Sequence, residues 1–327
     1  YRTGAILASD PCMSDAMTLA APAPDRVQNC PLCGAGARWP LEFRRDAAAD
    51  RLRAQRGDRR DYAWHLCRRC GNAYPSFAPD LSILSELWQQ NRADADLDPV
   101  RQAAVWRFRQ TISRKGARRS FATFAPLHQG PPGRMLDIAC GLGETVKCFA
   151  DRGWDALGVD ADANVRRFHQ DLGIQSRIGQ IEQVPVEGKF DLIQIAHAIY
   201  FITEPRRFLD QVKQRLQPDG LFCIVLADFM ANDDIGLPTY HHSFFPTGAS
   251  MRYLLAASGF RVCLLRHQSG SIYIAARPGA GSLPNVHPGL IRLGYRSKRL
   301  RFALLGRPKL WLRGLARAAL RMVRRAA

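Results

Sequence analysis

The stretch MLDIACGLGE at Met135–Glu144 decides the fold of this chain. An apolar run ends in the carboxylate of Asp137, a loop of small residues follows, and helical character begins at Thr145. This order predicts a strand, a tight turn and a helix. Because Gly141 and Gly143 lack a Cβ atom, the backbone of the turn can lie directly against a ligand, and the amides that open the helix add positive potential there.

The residues around this turn distinguish between two kinds of ligand. The dinucleotide fingerprint requires a third glycine three residues after the second, but Val146 stands there, so an NAD site is not predicted. A second predicted strand, Ala156–Val159, is followed directly by Asp160. Its carboxylate can accept hydrogen bonds from both hydroxyls of a ribose. Asp137 stands where it can meet a cationic ligand, which suits the amine and sulfonium of S-adenosylmethionine.

These residues resemble the first motif of class I S-adenosylmethionine-dependent methyltransferases, D-x-G-x-G-x-G, with Ala139 in place of the first glycine. The resemblance continues in the F-D-x-I pattern at Phe190–Ile193 and in the turn Gln217–Gly220. It implies methyltransferase activity with S-adenosylmethionine as the cofactor. It also implies a set of cofactor-contacting positions, namely Asp137, Ala139, Gly141, Gly143, Asp160, Ala161, Gln180, Ile181 and Ala196.

The alternation of predicted strands and helices between Arg134 and Arg277 favours a doubly wound, mainly parallel α/β sheet. A late pair of strands, Arg261–Arg266 and Ser271–Ala276, has the pattern of a hairpin. By resemblance to the family, we expect a seven-stranded sheet with one antiparallel edge strand.

Four of the nine cysteines form two C-x-x-C pairs, each on a turn closed by glycine as in a zinc-ribbon knuckle. The pairs are Cys30 with Cys33 and Cys67 with Cys70. Four thiolates make a closed tetrahedral site, so we predict a structural zinc; chance cysteines and disulfides are the alternatives. The ribbon would have strand-like arms at Arg38–Phe43 and Tyr62–Leu66.

Composition divides the chain into five parts. We predict a disordered leader at 1–29, the zinc ribbon at 30–78, a helical linker or cap at 79–130, the methyltransferase domain at 131–279 and a basic tail at 280–327. In the linker, one apolar stripe is predicted from Leu81, Leu84, Leu87, Trp88, Val105, Trp106, Phe108, Ile112, Phe121 and Phe124.

The formal charge is +18, and no acidic residue follows Asp234. In the second half of the tail, one predicted helix face carries Arg313, Arg317, Arg321 and Arg324, and the other carries Leu312, Leu315, Ala319 and Met322. This pattern is typical of a basic helix that lies on anionic lipid; nucleic acid and a plain solvated or partner-packed tail are the alternatives. With no membrane span and no signal-peptide pattern in the sequence, we expect a cytoplasmic protein, peripheral at the inner membrane face.

Four residues are candidates for acid–base work on the acceptor. His197 matches a family segment that reads S-H-V-L-E-H-x-x-D-P, but Tyr200 and Phe201 replace its Glu-His pair, so O-methylation of a quinone ring is not favoured. His241 and His242 match a family segment over the mouth of the site, and either imidazole can accept a proton near neutral pH. For His197 and for His241 or His242 the alternative is a purely structural role. Tyr200 would line the acceptor site or act as an acid or base.

The sequence leaves the acceptor open. Zinc ribbons joined to this domain resemble those of sugar C-methyltransferases and of methyltransferases in polysaccharide assembly, which implies a small-molecule or glycan-type acceptor. The alternatives are an RNA methyltransferase, which would use the ribbon and the positive charge to hold the RNA backbone, and a binding module without catalytic activity.

Overall fold

The computed structural model describes residues 26–41, 47–55, 57–58, 60–79, 99–181, 184–228, 242–301 and 304. The predicted leader lies almost entirely outside this part of the chain, as do the first half of the linker stripe, His241 and the second half of the basic tail.

A small antiparallel sheet lies on the N-terminal side. Its strands are β1 (Arg38–Leu41), β2 (Trp64–Cys67) and β3 (Ala73–Pro75), in the order β1-β2-β3, and helix α1 (Ala47–Gln55) lies between the first two in sequence. The first two strands correspond to the predicted arms of the ribbon. The third has only three residues and follows the second cysteine pair directly, too short a stretch for an alternating pattern to be recognised.

The main sheet has seven strands in the order β6-β5-β4-β7-β8-β10-β9. These strands are β4 (Arg134–Ile138), β5 (Asp155–Asp160), β6 (Gln175–Ile178), β7 (Phe190–Ala196), β8 (Leu216–Ala227), β9 (Phe260–Gln268) and β10 (Ser271–Pro278). Strands β4 to β8 are mutually parallel. The predicted doubly wound α/β fold with a mainly parallel seven-stranded sheet is therefore confirmed.

The antiparallel strand differs from the expectation in its position. Strand β10 pairs antiparallel with both β8 and β9, so it lies inside the sheet and β9 forms the edge. The hairpin turn explains this arrangement, because the chain runs out along the edge as β9 and then returns between that edge and β8.

Five helices lie against the main sheet or against one another beside it, namely α2 (Pro99–Phe124), α3 (Glu144–Ala150), α4 (Arg166–Leu172), α5 (Pro205–Arg215) and α6 (Gly248–Ala257). Helix α7 (Pro288–Arg301) packs on the small sheet. None of the helices in the described part of the chain is long and apolar enough to cross a membrane.

The prediction of one apolar stripe along α2 is wrong for two residues. Phe108 and Ile112 are 66% and 54% exposed. The rings of Phe121 and Trp106 instead pack against Phe149 and Phe168, on α3 and α4. At 100° per residue, Phe108 and Ile112 project from the opposite side of the helix.

The small sheet packs directly on the main domain. The guanidinium of Arg206, on α5, donates two hydrogen bonds of 2.9 and 2.7 Å to the carbonyl oxygen of Leu32 in the first cysteine knuckle. Ala73 of β3 and Phe245 form an antiparallel bridge, and Tyr295 of α7 is buried in the same apolar cluster. The end of the small sheet that carries the four cysteines therefore shares one core with the main sheet.

Candidate active site and cysteine cluster

The loop after β4 has the conformation that its small residues allow. Gly141 and Gly143 have φ values of 55° and 81°, and Ala139 has a φ of 56°. The left-handed region is readily available to glycine and costs an L-residue roughly 1–2 kcal/mol, so Ala139 occupies a position that favours glycine. A Cβ atom on Gly143 would lie 2.3 Å from Cδ1 of Ile174 and 3.0 Å from Cδ2 of His169.

Two carboxylates flank this loop. Asp160 is buried at the end of β5; its Oδ2 accepts a hydrogen bond from the amide of Gly141 at 2.7 Å, and its Oδ1 accepts one from the amide of Asp162 at 2.9 Å. Asp137 lies on the neighbouring strand β4 and is 2% exposed. Gln194 lies on β7, the other strand that pairs with β4, and its side-chain amide donates a hydrogen bond to Oδ1 of Asp137 at 3.4 Å.

Burial, together with the negative charge of Asp160, raises the pKa of Asp137 to about 8. The protonated form of Asp137 is therefore the favoured one at neutral pH. Oε1 of Gln194 has no hydrogen-bond partner in the described part of the chain; exchanging the two amide atoms would let it accept a hydrogen bond from protonated Asp137. A cationic ligand beside the pair would reverse this preference, because an opposite charge stabilises the carboxylate.

The remaining predicted cofactor residues lie along the same edge of the sheet. Ala161 follows β5 directly and is exposed, and Gln180 and Ile181 follow β6. Gln180 is exposed and Ile181 is buried. Ala196 ends β7, the strand next to β4. The parallel strands bring these loops to one edge.

An aromatic cluster lies at the carboxyl end of β7. It consists of Tyr200, Phe201, His242 and Phe245, with ring centroids 4.9–6.1 Å apart. The amide of Ser243 donates to the carbonyl of Tyr200 at 2.8 Å. Two of the predicted acceptor-site residues, Tyr200 and His242, are thus brought together.

The side chains at this end have different acid–base properties. The side chain of His197 reaches solvent, and its backbone has a φ of 55°. Although part of the ring reaches solvent, the protein around it displaces some of its water and lowers the pKa of His197; the neutral imidazole that this favours can accept a proton. Burial raises the pKa of Tyr200, so its hydroxyl stays protonated and can only donate or accept hydrogen bonds.

Residues 105–265 match the family model described as "Methyltransferase domain". This match covers the glycine loop, both carboxylates and the strands that carry them. The chain carries a class I S-adenosylmethionine-dependent methyltransferase domain.

Curated relatives cover parts of this methyltransferase domain. The ubiquinone biosynthesis O-methyltransferase of Bradyrhizobium sp. (strain ORS 278) is 28% identical over 159 residues, which are 46% of this chain and 60% of the relative. The same enzyme of Nitrobacter winogradskyi is 30% identical over 94 residues, which are 27% of this chain and 36% of the relative. The chain thus spans less than two thirds of the length of these relatives.

Two solved structures are similar to the chain at low identity. A methyltransferase from Clostridium acetobutylicum has a TM-score of 0.43 and 11% identity, and the alignment covers 61% of this chain and 99% of that one. The glycopeptide N-methyltransferase MtfA with bound S-adenosylmethionine has a TM-score of 0.41 and 17% identity, with coverage of 51% and 94%.

The four cysteines predicted to bind metal form one buried cluster beside the methyltransferase domain. The ligand atoms of Cys30, Cys33, Cys67 and Cys70 all lie within 4.8 Å of one another. The Sγ atoms of Cys30 and Cys70 are 3.6 Å apart and those of Cys33 and Cys67 are 3.4 Å apart, too far for disulfides. Zn–S bonds of about 2.3 Å in a tetrahedron place sulfurs about 3.8 Å apart, so these residues fit zinc.

Sequence reasoning missed two polar arrangements in the methyltransferase domain. At the end of β8, Oδ2 of the buried Asp228 lies 2.6 Å from Nδ1 of His267, on β9. His169, on α4, is 2% exposed and bonds the glycine loop. Neither histidine belongs to a motif, and each acquires its partner only when distant strands and helices come together.

Proposed function

We propose that this protein transfers a methyl group from S-adenosylmethionine to a small-molecule or glycan-type acceptor. The observation that carries the proposal is the pair of buried carboxylates, Asp137 and Asp160, on either side of the glycine loop. The cofactor would lie over the carboxyl ends of β4 and β5, and the acceptor over the adjoining ends of β7 and β8.

The residues at the cofactor end are suited to distinct parts of S-adenosylmethionine. Asp160 would accept hydrogen bonds from the ribose hydroxyls, and Asp137 would balance the positive charge of the methionine part. The backbone at Gly141 would approach the ligand without a Cβ atom. Around the adenine we place Gln180, whose amide can pair with the ring amino group; the other proposed neighbours of the cofactor are Ala139, Gly143, Ala161, Ile181 and Ala196.

S-adenosylmethionine supplies a methyl group that is already activated on a sulfonium, so the protein chiefly has to align the acceptor and exclude water. The aromatic cluster around Tyr200 and His242 would provide the dry wall of the acceptor site. His197 is neutral at pH 7 and could take a proton from an acceptor hydroxyl or amine. His242, in the aromatic cluster, and His241, which lies outside the described residues, are the other candidate bases.

Residues near the acceptor site and on the ribbon bear on the identity of the acceptor. The ubiquinone relatives methylate an oxygen according to their name, yet Tyr200 and Phe201 occupy the positions of the Glu-His pair in that segment, and we favour a sugar or glycan. Of the ribbon aromatics, Tyr62, Trp64 and Tyr74 are buried in the protein, which does not favour the RNA alternative, since RNA binding uses exposed rings. A module without catalytic activity would have no use for the two buried carboxylates.

Calorimetry tests the cofactor site. Wild-type protein should bind S-adenosylmethionine, and Asp160→Ala should weaken binding by about 100-fold, because a charge-assisted pair of hydrogen bonds is lost. Asp162→Ala is the matched control and should bind nearly as wild type. Equal binding by Asp160→Ala and wild type would refute the assigned pocket.

We further propose that the cysteine cluster holds one structural zinc ion. Four buried sulfurs at tetrahedral spacing leave no open coordination position, so a catalytic role is not assigned to the metal. Elemental analysis of purified protein should give about one zinc per chain; protein free of metal that keeps its fold would contradict the proposal.

We also propose that helix α7 binds an anionic membrane surface. Leu290, Leu293 and Leu300 are 60–65% exposed on one side of the helix, and its sequence has five basic residues and no acidic one. A second copy of this helix would carry the same charge, whereas anionic lipid is complementary to it and accepts leucine side chains.

Vesicle flotation tests this surface. Wild type should float with phosphatidylglycerol-containing vesicles at low salt and not with phosphatidylcholine alone. The double variant Leu290→Gln/Leu293→Gln should lose most of this binding, and Leu283→Gln, which changes an exposed leucine outside the helix, should not. Wild-type protein that stays soluble, or that binds RNA and ignores vesicles, would overturn the membrane role.

A further inference from the structure

His169 is a buried polar residue beside the glycine loop that no part of the proposed reaction uses. It lies on α4, the helix that follows β5, and is 2% exposed. Its Nε2 atom is 2.8 Å from the carbonyl oxygen of Gly141, and its Nδ1 atom is 2.9 Å from the hydroxyl of Ser176 on β6. One imidazole thus connects the loop with two other elements.

The hydrogen-bond partners fix the tautomer of this imidazole. A carbonyl oxygen can only accept, so Nε2 must carry the proton and donate it to Gly141. In the neutral ring, Nδ1 then accepts a hydrogen bond from the hydroxyl of Ser176. The thiol of Cys140 lies 3.8 Å from Nε2, but burial and the charges of Asp137 and Asp160 raise the pKa of that thiol, so it is not a competing anionic acceptor.

Side chains therefore form hydrogen bonds with both the amide and the carbonyl of Gly141. Its amide donates to Asp160 at 2.7 Å, and its carbonyl accepts from His169. The ring of His169 also lies close to Gly143, because a Cβ atom added to Gly143 would be 3.0 Å from Cδ2 of His169. His169 contacts the loop at both glycines, and the orientation of the backbone that would face the cofactor depends on it.

We propose that His169 is a positioning residue for S-adenosylmethionine: by donating to the carbonyl of Gly141, it holds the glycine loop in the conformation that binds the cofactor. This inference rests on the proposed function, because it assigns the loop to that ligand. His169 itself does not act as a base, since its protonated nitrogen is turned to a carbonyl oxygen.

Three variants separate the hydrogen bond from the packing. His169→Phe keeps a ring and removes both hydrogen bonds, His169→Gln keeps a donor near the position of Nε2, and Ser176→Ala frees only Nδ1. The matched control is His128→Phe, because the ring of His128 also bonds a carbonyl, that of Pro131 at 3.0 Å, at a distance from the loop.

Calorimetry should show a Kd for S-adenosylmethionine that is about 10-fold or more higher in His169→Phe and within about threefold of wild type in His169→Gln. Ser176→Ala should fall between these, and His128→Phe should bind as wild type. Thermal unfolding of each variant is measured in parallel. If His169→Phe binds as wild type, or if His169→Gln loses affinity as fully as His169→Phe, the positioning role is refuted.

Hydrogen exchange of the unliganded protein keeps this test independent of the cofactor. Amides of residues 139–144 should exchange faster in His169→Phe than in wild type and in His169→Gln. Unchanged exchange there would also overturn the inference. If the loop amides exchange faster in His169→Phe than in wild type, but wild type does not bind S-adenosylmethionine, the proposed function fails and the role of His169 in ordering the loop stands.

Discussion

The edge of the sheet has a proposed cofactor half, at the ends of β4 and β5, and a proposed acceptor half, at the ends of β7 and β8. The two halves are held together in different ways. At the cofactor half, the loop after β4 is bonded to Asp160 and His169, which lie 19 and 28 residues from Gly141. At the acceptor half, the aromatic segment ending at Phe245 pairs with Ala73 of the ribbon, and Arg206 bonds Leu32 across 174 residues. The cofactor half thus depends on contacts within one stretch of chain, and the acceptor half depends on the docked ribbon.

This difference predicts that a change which disturbs one half leaves the structure of the other half intact. Loss of the metal should disturb the wall of the acceptor site and leave the cofactor loop in place, whereas changes at the two carboxylates should do the reverse.

The largest effect is expected from Cys67→Ser. Removing one of four thiolates should abolish high-affinity zinc binding, whose free energy is coupled to folding of the ribbon, and lower the Tm by about 10 °C or more. The Kd for S-adenosylmethionine should stay within about threefold of wild type. Metal analysis, calorimetry and thermal unfolding measure these quantities.

Cys263→Ser is the matched control, because this thiol is exposed on β9 and lies outside the cluster. It should retain the metal and the wild-type Tm. Loss of cofactor binding in Cys67→Ser at a temperature where the domain remains folded would break the separation of the two halves.

The next effect concerns Asp137. Its pKa of about 8 in the folded protein, against about 3.9 in an unfolded chain, means that the folded state holds a proton that the unfolded state has released. Stability should therefore fall as the pH rises from about 4 to about 8. Asp137→Asn removes this loss, so its unliganded form should have a higher Tm than wild type at pH 8.

The same substitution should weaken cofactor binding by about 10- to 100-fold, since a charge-assisted interaction is lost. In wild type, a cation favours ionised Asp137, so affinity should rise between pH 6 and 8 as release of the proton becomes easier, and Asp137→Asn should lack this component. Parallel pH profiles for the two proteins would contradict the assignment.

A smaller effect is expected from Arg206→Met. The carbonyl of Leu32 loses both hydrogen bonds, so the contact between knuckle and α5 should loosen while the zinc remains. Hydrogen exchange at residues 242–247 should increase several-fold, with no change at residues 139–144. Arg207→Met, which alters an exposed neighbour paired with Glu204, should leave both segments as in wild type.

The smallest effect is expected from Ala139→Gly. Glycine relieves the left-handed strain at this position but is more flexible in the unfolded chain, so a net stabilisation of up to about 1 kcal/mol is expected. Ala156→Gly, on β5, should instead lower the stability, because a buried methyl group is lost and no left-handed strain is relieved there. Urea unfolding shows whether each variant has a higher or lower free energy of unfolding than wild type. A less stable Ala139→Gly would refute strain at Ala139.

The sequence alone determined the order of the strands and helices of the methyltransferase domain, the glycine loop with Asp137 and Asp160, and the two cysteine pairs. These features are readable because each depends on periodicity or spacing within a few residues. The prediction that Phe108 and Ile112 belong to a packed apolar stripe was wrong, because an apolar residue on a helix is buried only where another element covers it.

Only the tertiary structure decided the contacts that join remote parts of the chain. The place of β10 inside the sheet, the docking of the ribbon through Ala73 and Arg206, and the bond from His169 to Gly141 require elements to meet in space. Local sequence sets the backbone conformation of each segment, whereas the partner of a buried polar or aromatic side chain depends on packing between segments that are far apart in the chain.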